Sequence, residues 1–254
     1  MSSLTGRTVL VTRGKTQAAS MVHAIERQGG NVIHTPLVTF QVNNTRENQR
    51  ILIQLHDYDW VFFTSSNGVK FFFTILNDIN IEVPVNLRFA VVGEKTERTL
   101  EKYGYQADFV PSSFKGSKMG KEFFERFEPS MSILYVRGNR SKDDLIDNFK
   151  EQQVFFQTIT AYDTLLVKND KHKIEKLVEN GEIDALTFTS PSTVEAFSEM
   201  IEIDDVCSIP CFCIGPTTAS EAEAAGFRHI FIPESYTIDH MVDSLSQYFQ
   251  EGER

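Results

Sequence analysis

Cysteine is scarce in this chain, and all three residues, Cys207, Cys211 and Cys213, fall in one short segment. Such clustering offers no disulfide framework. They read as reduced thiols, with Cys211 and Cys213 on alternate positions of an apolar strand, more simply core than metal ligands. Positive charge is in deficit as well: 25 Lys and Arg face 35 Asp and Glu, a net charge of −10. That balance speaks against a nucleic-acid partner, because neutralising phosphates requires a basic face. No apolar run approaches the roughly 20 residues that span a bilayer, and residues 1–15 lack the apolar centre of a signal peptide. A soluble, cytoplasmic protein with no membrane partner is expected. The six histidines, His23, His34, His56, His172, His229 and His240, show no metal-ligand spacing, so no metal is expected. GxGxxG, GxxxxGK[ST] and the nucleophile elbow are all missing, which leaves nucleotide chemistry without sequence support.

What the chain does have is a repeat. Phe89 to Pro111, FAVVGEKTERTLEKYGYQADFVP, returns as Cys211 to Pro233, CFCIGPTTASEAEAAGFRHIFIP, at an offset of 122 residues at every landmark. Asp59 to Asn67 matches Asp184 to Ser192 at an offset of 125, and Leu10 to Gly14 matches Leu134 to Gly138 at 124. Three matches in the same order mark a duplicated domain, since the period is too long for a solenoid unit. Taken alone, the repeat divides the chain into halves, 1–125 and 126–254.

Strand-like and helix-like stretches alternate along both copies. Thr8 to Thr12 reads as a strand, and Ala18 to Gln28 as a helix ended by Gly29 and Gly30. Asn31 to Phe40 is extended, but Pro36 in its middle makes it an edge or crossover strand. Helices are expected over Thr45 to His56, Val69 to Leu76, Met119 to Phe127, Asp143 to Gln153, Asn169 to Asn180 and Tyr236 to Phe249, with a polar loop from Ser112 to Lys121. Trp60 to Phe63, Ile133 to Val136, Val154 to Val167 and Leu186 to Phe188 read as strands. This alternation predicts an α/β fold with parallel sheets covered on both faces, built as two flavodoxin-like three-layer domains.

In such sheets ligands bind beyond the carboxyl ends of the strands. Those ends carry Thr12-Arg13-Gly14, Thr64-Ser65-Ser66-Asn67, Gly93 to Thr96, Arg137-Gly138-Asn139, Ser190-Pro191-Ser192 and Gly215-Pro216-Thr217-Thr218. Each is small, polar and followed by a helix, whose N-terminal N–H groups and partial positive charge suit carboxylates or phosphates. Any one of them reads first as an ordinary N-cap, worth about 1 kcal/mol; the matched set reads as an anion site. Arg13 and Arg137 stand at equivalent strand ends and read equally as anion ligands or as partners in an interdomain salt bridge.

FTSSNGV, VVGEKT, TAYDT, FTSPSTVEAF and above all CIGPTTASEAEAAGF resemble the uroporphyrinogen-III synthase family, from Thr8 to about Leu245. The resemblance implies two domains, 1–36 with 167–254 and 37–166, joined by two extended crossover segments near Thr35 to Phe40 and Ile159 to Val167. It implies a cofactor-free lyase of tetrapyrrole biosynthesis that cyclises hydroxymethylbilane, a linear polycarboxylate, to uroporphyrinogen III. The hydroxyl departs to leave an azafulvene, attack at the substituted carbon of the last ring gives a spiro intermediate, and reopening and reclosure invert that ring. Tyr162 corresponds to the family's tyrosine that helps the hydroxyl depart; by its residue type alone it reads as a packing aromatic between domains. Thr96, Ser190, Thr217 and Thr218 match positions that bind substrate, and Ser65, Ser66, Asn67, Arg13, Arg137, Asn139, Gly215 and Ser192 extend that set, although some members carry a basic residue where this chain has Asn67. A monomer that receives its substrate by transient hand-over from the hydroxymethylbilane-producing enzyme is expected. A non-catalytic binding protein for an anionic metabolite and a phosphosugar or nucleotide enzyme are the alternatives, the latter disfavoured by the lack of a clustered Asp pair at a strand end.

Overall fold

A tetrapeptide such as Trp60–Phe63 is stable as a strand only where both its faces are covered, and the computed structural model covers both. The structure describes residues 3–112, 116–168 and 170–252. In chain order the first elements are β1 (Thr8–Val11), α1 (Lys15–Arg27), β2 (Asn31–His34), β3 (Val38–Val42), α2 (Arg46–Ile53), β4 (Trp60–Phe63), α3 (Ser66–Asp78), β5 (Arg88–Val91) and α4 (Glu94–Glu101). There follow α5 (Gly116–Phe124), β6 (Ser132–Gly138), α6 (Asp144–Glu151), β7 (Phe155–Leu166), α7 (Lys171–Glu179), β8 (Ala185–Phe188), α8 (Pro191–Ser198), β9 (Cys211–Cys213), α9 (Pro216–Ala225), β10 (Ile230–Phe231) and α10 (Ile238–Gly252).

The chain divides into two compact units, Met1–Thr39 with Leu165–Arg254, and Phe40–Thr164. One sheet has the order β10-β9-β8-β1-β2, the other β3-β7-β6-β4-β5. The ladders β1–β2, β1–β8, β8–β9 and β9–β10 are parallel, as are β4–β5, β4–β6 and β6–β7. Counting strands from β1, the first sheet reads 2-1-3-4-5, the doubly wound order of flavodoxin-like folds. Counting from β6, the second follows the same path, β7-β6-β4-β5, with Phe109 bridging parallel to Ala90 beyond β5. The repeat is therefore real, but its halves are not the folded units: β8, β9 and β10 from the second half complete the sheet that β1 and β2 begin. Asn31 to Phe40 is likewise two strands rather than one. Pro36 lies between β2, at the edge of the first sheet, and β3, at the edge of the second.

Side-chain alternation builds the layers. On β4 and β6, Val61, Phe63, Leu134 and Val136 pack with Phe72, Ile75 and Leu76 of α3 on one face. On the other, Trp60, Phe62, Ile133 and Tyr135 pack with Phe123 of α5 and Phe149 of α6. In the first unit, Val9, Val11, Ala185 and Phe212 meet Met21 and Ile25 of α1 and Leu245 of α10. Burying each Val, Leu, Ile, Phe or Met side chain among these contributes roughly 1.5–3 kcal/mol. Met119 and Phe123, both fully buried, also draw Gly116 onward into α5, so the loop expected from Ser112 to Lys121 is shorter than read; residues 113–115 of it, like Asn169 at the start of the helix expected there, lie outside the described residues. Helix ends follow local chemistry: the Thr45 hydroxyl accepts from the Asn48 N–H to start α2, and Gly226, at φ 103°, closes α9 in a conformation that favours glycine.

Candidate active site

In the Phe40–Thr164 unit the carboxyl ends of β4, β5 and β6 deliver the hydroxyl-rich turns to one edge of the sheet. There β7 passes the end of β6 with Tyr162 as register partner of Gly138, across a shift between Arg137 and Gly138. The pairing requires a glycine: a Cβ at position 138 would stand 2.4 Å from Cζ of the Tyr162 ring. Phe71 stacks on that ring at 5.2 Å and Phe40 meets it edge-on at 5.8 Å. Tyr162 is 7% exposed, and its hydroxyl lies 3.1 Å from Ser65 Oγ. Burial pushes the phenol above its ordinary value, opposed by the Ser65 hydrogen bond, so Tyr162 carries its proton at neutral pH.

Ser65 is the N-cap of α3, its Oγ accepting the Gly68 N–H at 3.0 Å. Its oxygen is thus engaged within the protein on both sides. Ser66 donates to the Lys95 carbonyl at 3.0 Å, tying the first turn of α3 to that of α4, where Thr96 is buried. Asn67 is half-buried in the first turn of α3. Beside them Thr64 Oγ1 lies 3.1 Å from the hydroxyl of Tyr135, and the Arg137 guanidinium lies 5.7 Å from the Tyr135 ring centre. Burial raises the Tyr135 phenol too. Arg137 donates to Asp143 at 2.6 Å and to the Ser141 carbonyl, so its described ion pair lies within this unit. Asn139 is exposed, yet its side-chain oxygen accepts the Thr164 N–H at 2.9 Å and its own N–H donates to the Tyr162 carbonyl at 3.1 Å.

In the other unit the ends of β1, β8 and β9, neighbours in the sheet, carry the equivalent turns. Arg13 follows β1, half-buried, with its Nε 3.4 Å from Gln17 Oε1 and no carboxylate within ion-pair distance among the described residues. Burial lowers its pKa from the ordinary arginine value. Ser190 caps α8 by position only: its Oγ meets Ser192 Oγ at 3.0 Å rather than a helix N–H. Gly215 opens α9, with Thr217 exposed and Thr218 buried at the third helical position, as Thr96 is in α4. The ring of Tyr236, 62% exposed, lies over Gly215, where a Cβ would sit 3.5 Å from Cγ.

Sequence reading overlooked Tyr135 and carried Thr64 only as part of a strand-end turn. Tyr135 alternates with Arg137 on β6 and so shares its face, a signal that period-2 reading could have used. The contact between Tyr162 and Ser65 had no local signal, because 97 residues separate them. Among the described residues no three His, Cys, Asp or Glu side chains cluster as metal ligands, and no helix is long and apolar enough to cross a membrane.

Comparison with known proteins agrees with this architecture. Residues 19–243 match the family model described as uroporphyrinogen-III synthase HemD. A uroporphyrinogen-III synthase of Chlorobaculum parvum is 30% identical over 91% of this chain and 94% of its own length. The porphyrin biosynthesis protein HemD of Ruminiclostridium josui is 28% identical over 95% of this chain, which spans about half, 48%, of that relative. Among solved structures, a mutant uroporphyrinogen III synthase of Thermus thermophilus superposes with a TM-score of 0.77 at 15% identity, covering 97% of this chain and 100% of that one. The Helicobacter pylori enzyme superposes with a TM-score of 0.62 at 18% identity, covering 95% and 99%. The structural likeness carries the fold and the sequence matches carry the kinship, so the chain belongs to the uroporphyrinogen-III synthase family.

Proposed function

We propose that the chain converts hydroxymethylbilane to uroporphyrinogen III without a cofactor, with Tyr162 as proton donor to the departing hydroxyl. The observation that carries this reading is the buried Tyr162 phenol, held at the carboxyl edge of a parallel sheet with its hydroxyl 3.1 Å from Ser65 Oγ. Loss of hydroxide from carbon is slow in neutral water. A positioned phenol that transfers its proton as the C–O bond breaks releases water instead and leaves the azafulvene in its cationic, N-protonated form beside the phenolate. The last ring closure loses a carbon-bound proton, so the phenol is restored and the net change is loss of one water.

The substrate's acetate and propionate groups need partners, and the hydroxyls of Thr96, Ser190, Ser192, Thr217 and Thr218 suit them, with the N–H groups of Ser192, Thr217 and Gly215 alongside; the Thr96 and Thr218 N–H groups already donate to the Gly93 and Gly215 carbonyls. Arg13 is a cation with no carboxylate partner among the described residues, which favours an anion ligand over a salt bridge there. Ser66, Asn67, Arg137 and Asn139 contribute more through the framework, given the bonds they already make or, for Asn67, its half-buried place in α3. The two contact units support a domain division at 1–36 with 167–254 and 37–166. The protein acts as a cytoplasmic monomer that takes its labile substrate by hand-over from the enzyme that makes it.

The test supplies the purified protein with hydroxymethylbilane generated in place, then oxidises and separates the porphyrin isomers. Isomer III is expected. Isomer I alone, from folded protein, would overturn the synthase reading in favour of an anion-binding protein.

A further inference from the structure

The Ser65 oxygen has two neighbours, and only one of its bonds has a fixed direction. The Gly68 N–H must donate to Oγ, at 3.0 Å, because an amide has nothing to accept with. The contact with the Tyr162 hydroxyl, 3.1 Å, can run either way. We propose that Ser65 is a positioning residue for Tyr162: its hydroxyl donates to the phenol oxygen and leaves the phenol proton free for the reacting group.

Three observations favour this direction. An oxygen that accepts from an N–H becomes a better donor through its own proton, so the chain from Gly68 to Ser65 to Tyr162 strengthens along its length. The bond that Gly68 supplies comes from the first turn of α3, 13 residues long, whose partial positive charge is thereby extended to the phenol oxygen, where charge develops as the proton leaves. And the ring has no freedom to seek another partner, held by Phe71, Phe40 and the backbone of Gly138. Few charges compete nearby: β3 has no titratable side chain, α3 offers only the exposed Lys70 in its first two turns, and β6 and β7 offer Tyr135, Arg137 and Asp163, of which Arg137 is paired with Asp143 and Asp163 accepts from Asn43.

The inference rests on the synthase reading for the identity of the reacting group, but not for the hydrogen bond itself. The direction of the bond fixes the sign of an observable. If Ser65 donates, removing it raises the Tyr162 titration midpoint; if Tyr162 donates, removing Ser65 lowers it. The experiment follows Tyr162 by 13C-tyrosine NMR, with Tyr162→Phe assigning the resonance, in the parent, Ser65→Ala and Ser65→Thr. Ser65→Ala should move the midpoint up by about one pH unit and lower kcat about tenfold with KM little changed. Ser65→Thr, which keeps both the cap and the donor, should restore most of both. In the Tyr162→Phe background Ser65→Ala should cost less than about twofold, as expected of residues that act as one unit. A midpoint that falls or stays, or an undiminished loss in the Tyr162→Phe background, overturns the proposal. A parent that makes no isomer III overturns the synthase reading, while the titration still decides the direction of the bond.

Discussion

The two sheets end in the same duplicated turns, yet their carboxyl edges are finished differently. In the Phe40–Thr164 unit the polar groups are satisfied internally: Tyr162 with Ser65, Tyr135 with Thr64, Arg137 with Asp143. At the equivalent edge of the other unit Arg13 has, among the described residues, a side-chain bond to Gln17 and no carboxylate partner, Ser190 and Ser192 bond to each other, and Thr217 is exposed. Each edge also sets an aromatic ring over a strand-end glycine. Tyr162 over Gly138 is buried and locked; Tyr236 over Gly215 is exposed and in ordinary contact. A locked, satisfied edge suits a group that must deliver a proton along one line, whereas an edge with uncommitted donors suits the binding of carboxylates.

The largest expected effect would erase that contrast. Gly138→Ala forces the Tyr162 ring aside and should cost at least about a hundredfold in kcat, with roughly 1–3 kcal/mol of stability. Gly215→Ala should change kcat by less than about threefold, because its added carbon meets Tyr236 at van der Waals distance. Steady-state kinetics and thermal melts of the pair check this, and equal losses would abolish the distinction. Tyr162→Phe keeps the ring and loses only the hydroxyl. A fall of about a hundredfold in turnover with about 1 kcal/mol in stability is expected, and parent-like turnover would remove Tyr162 from the chemistry.

Next in size are the arginines. Arg13→Gln should raise KM about tenfold and leave kcat nearly unchanged, as loss of one charge-assisted contact would. Arg137→Gln should instead act mainly on stability, through the lost Asp143 pair. The reverse pattern would exchange the roles assigned to the two edges. Thr96→Ala and Thr218→Ala, at equivalent helical positions, should each cost about two- to fivefold, and a large loss in only one would break the equivalence of the turns. The smallest effect is that of pH. The Tyr162 pKa is raised, so a rate that needs the protonated phenol should hold level through neutrality and fall only above the ordinary tyrosine value. The same group's contribution to stability is present in full below that value and is lost as pH rises through the folded-state pKa, which alkaline denaturation would detect.

Much of this was legible in the amino-acid order. Trp60 to Phe63 announced a strand covered on both sides and Leu186 to Phe188 a strand, and the small and hydroxyl residues that follow them announced turns at strand ends. Tyr162 carried no such mark without the family resemblance. A tyrosine in a β-rich run reads as packing, and its partner Ser65 as a cap. Both readings are correct as far as they go: Ser65 does cap α3, and Tyr162 does pack on Phe71.

By itself, then, the order of residues determined where strands and helices form, that the domain was duplicated, and which turns stand beyond the strands. Those features depend on apolar period, capping and glycine within a few neighbouring positions. Tertiary structure decided which repeats share a sheet, sending β8 to β10 back to β1 across more than half the chain, and it decided that the Tyr162 ring would lie on Gly138 with its hydroxyl at Ser65. Pairing and contact between distant segments depend on how whole layers bury their faces, which no local window contains.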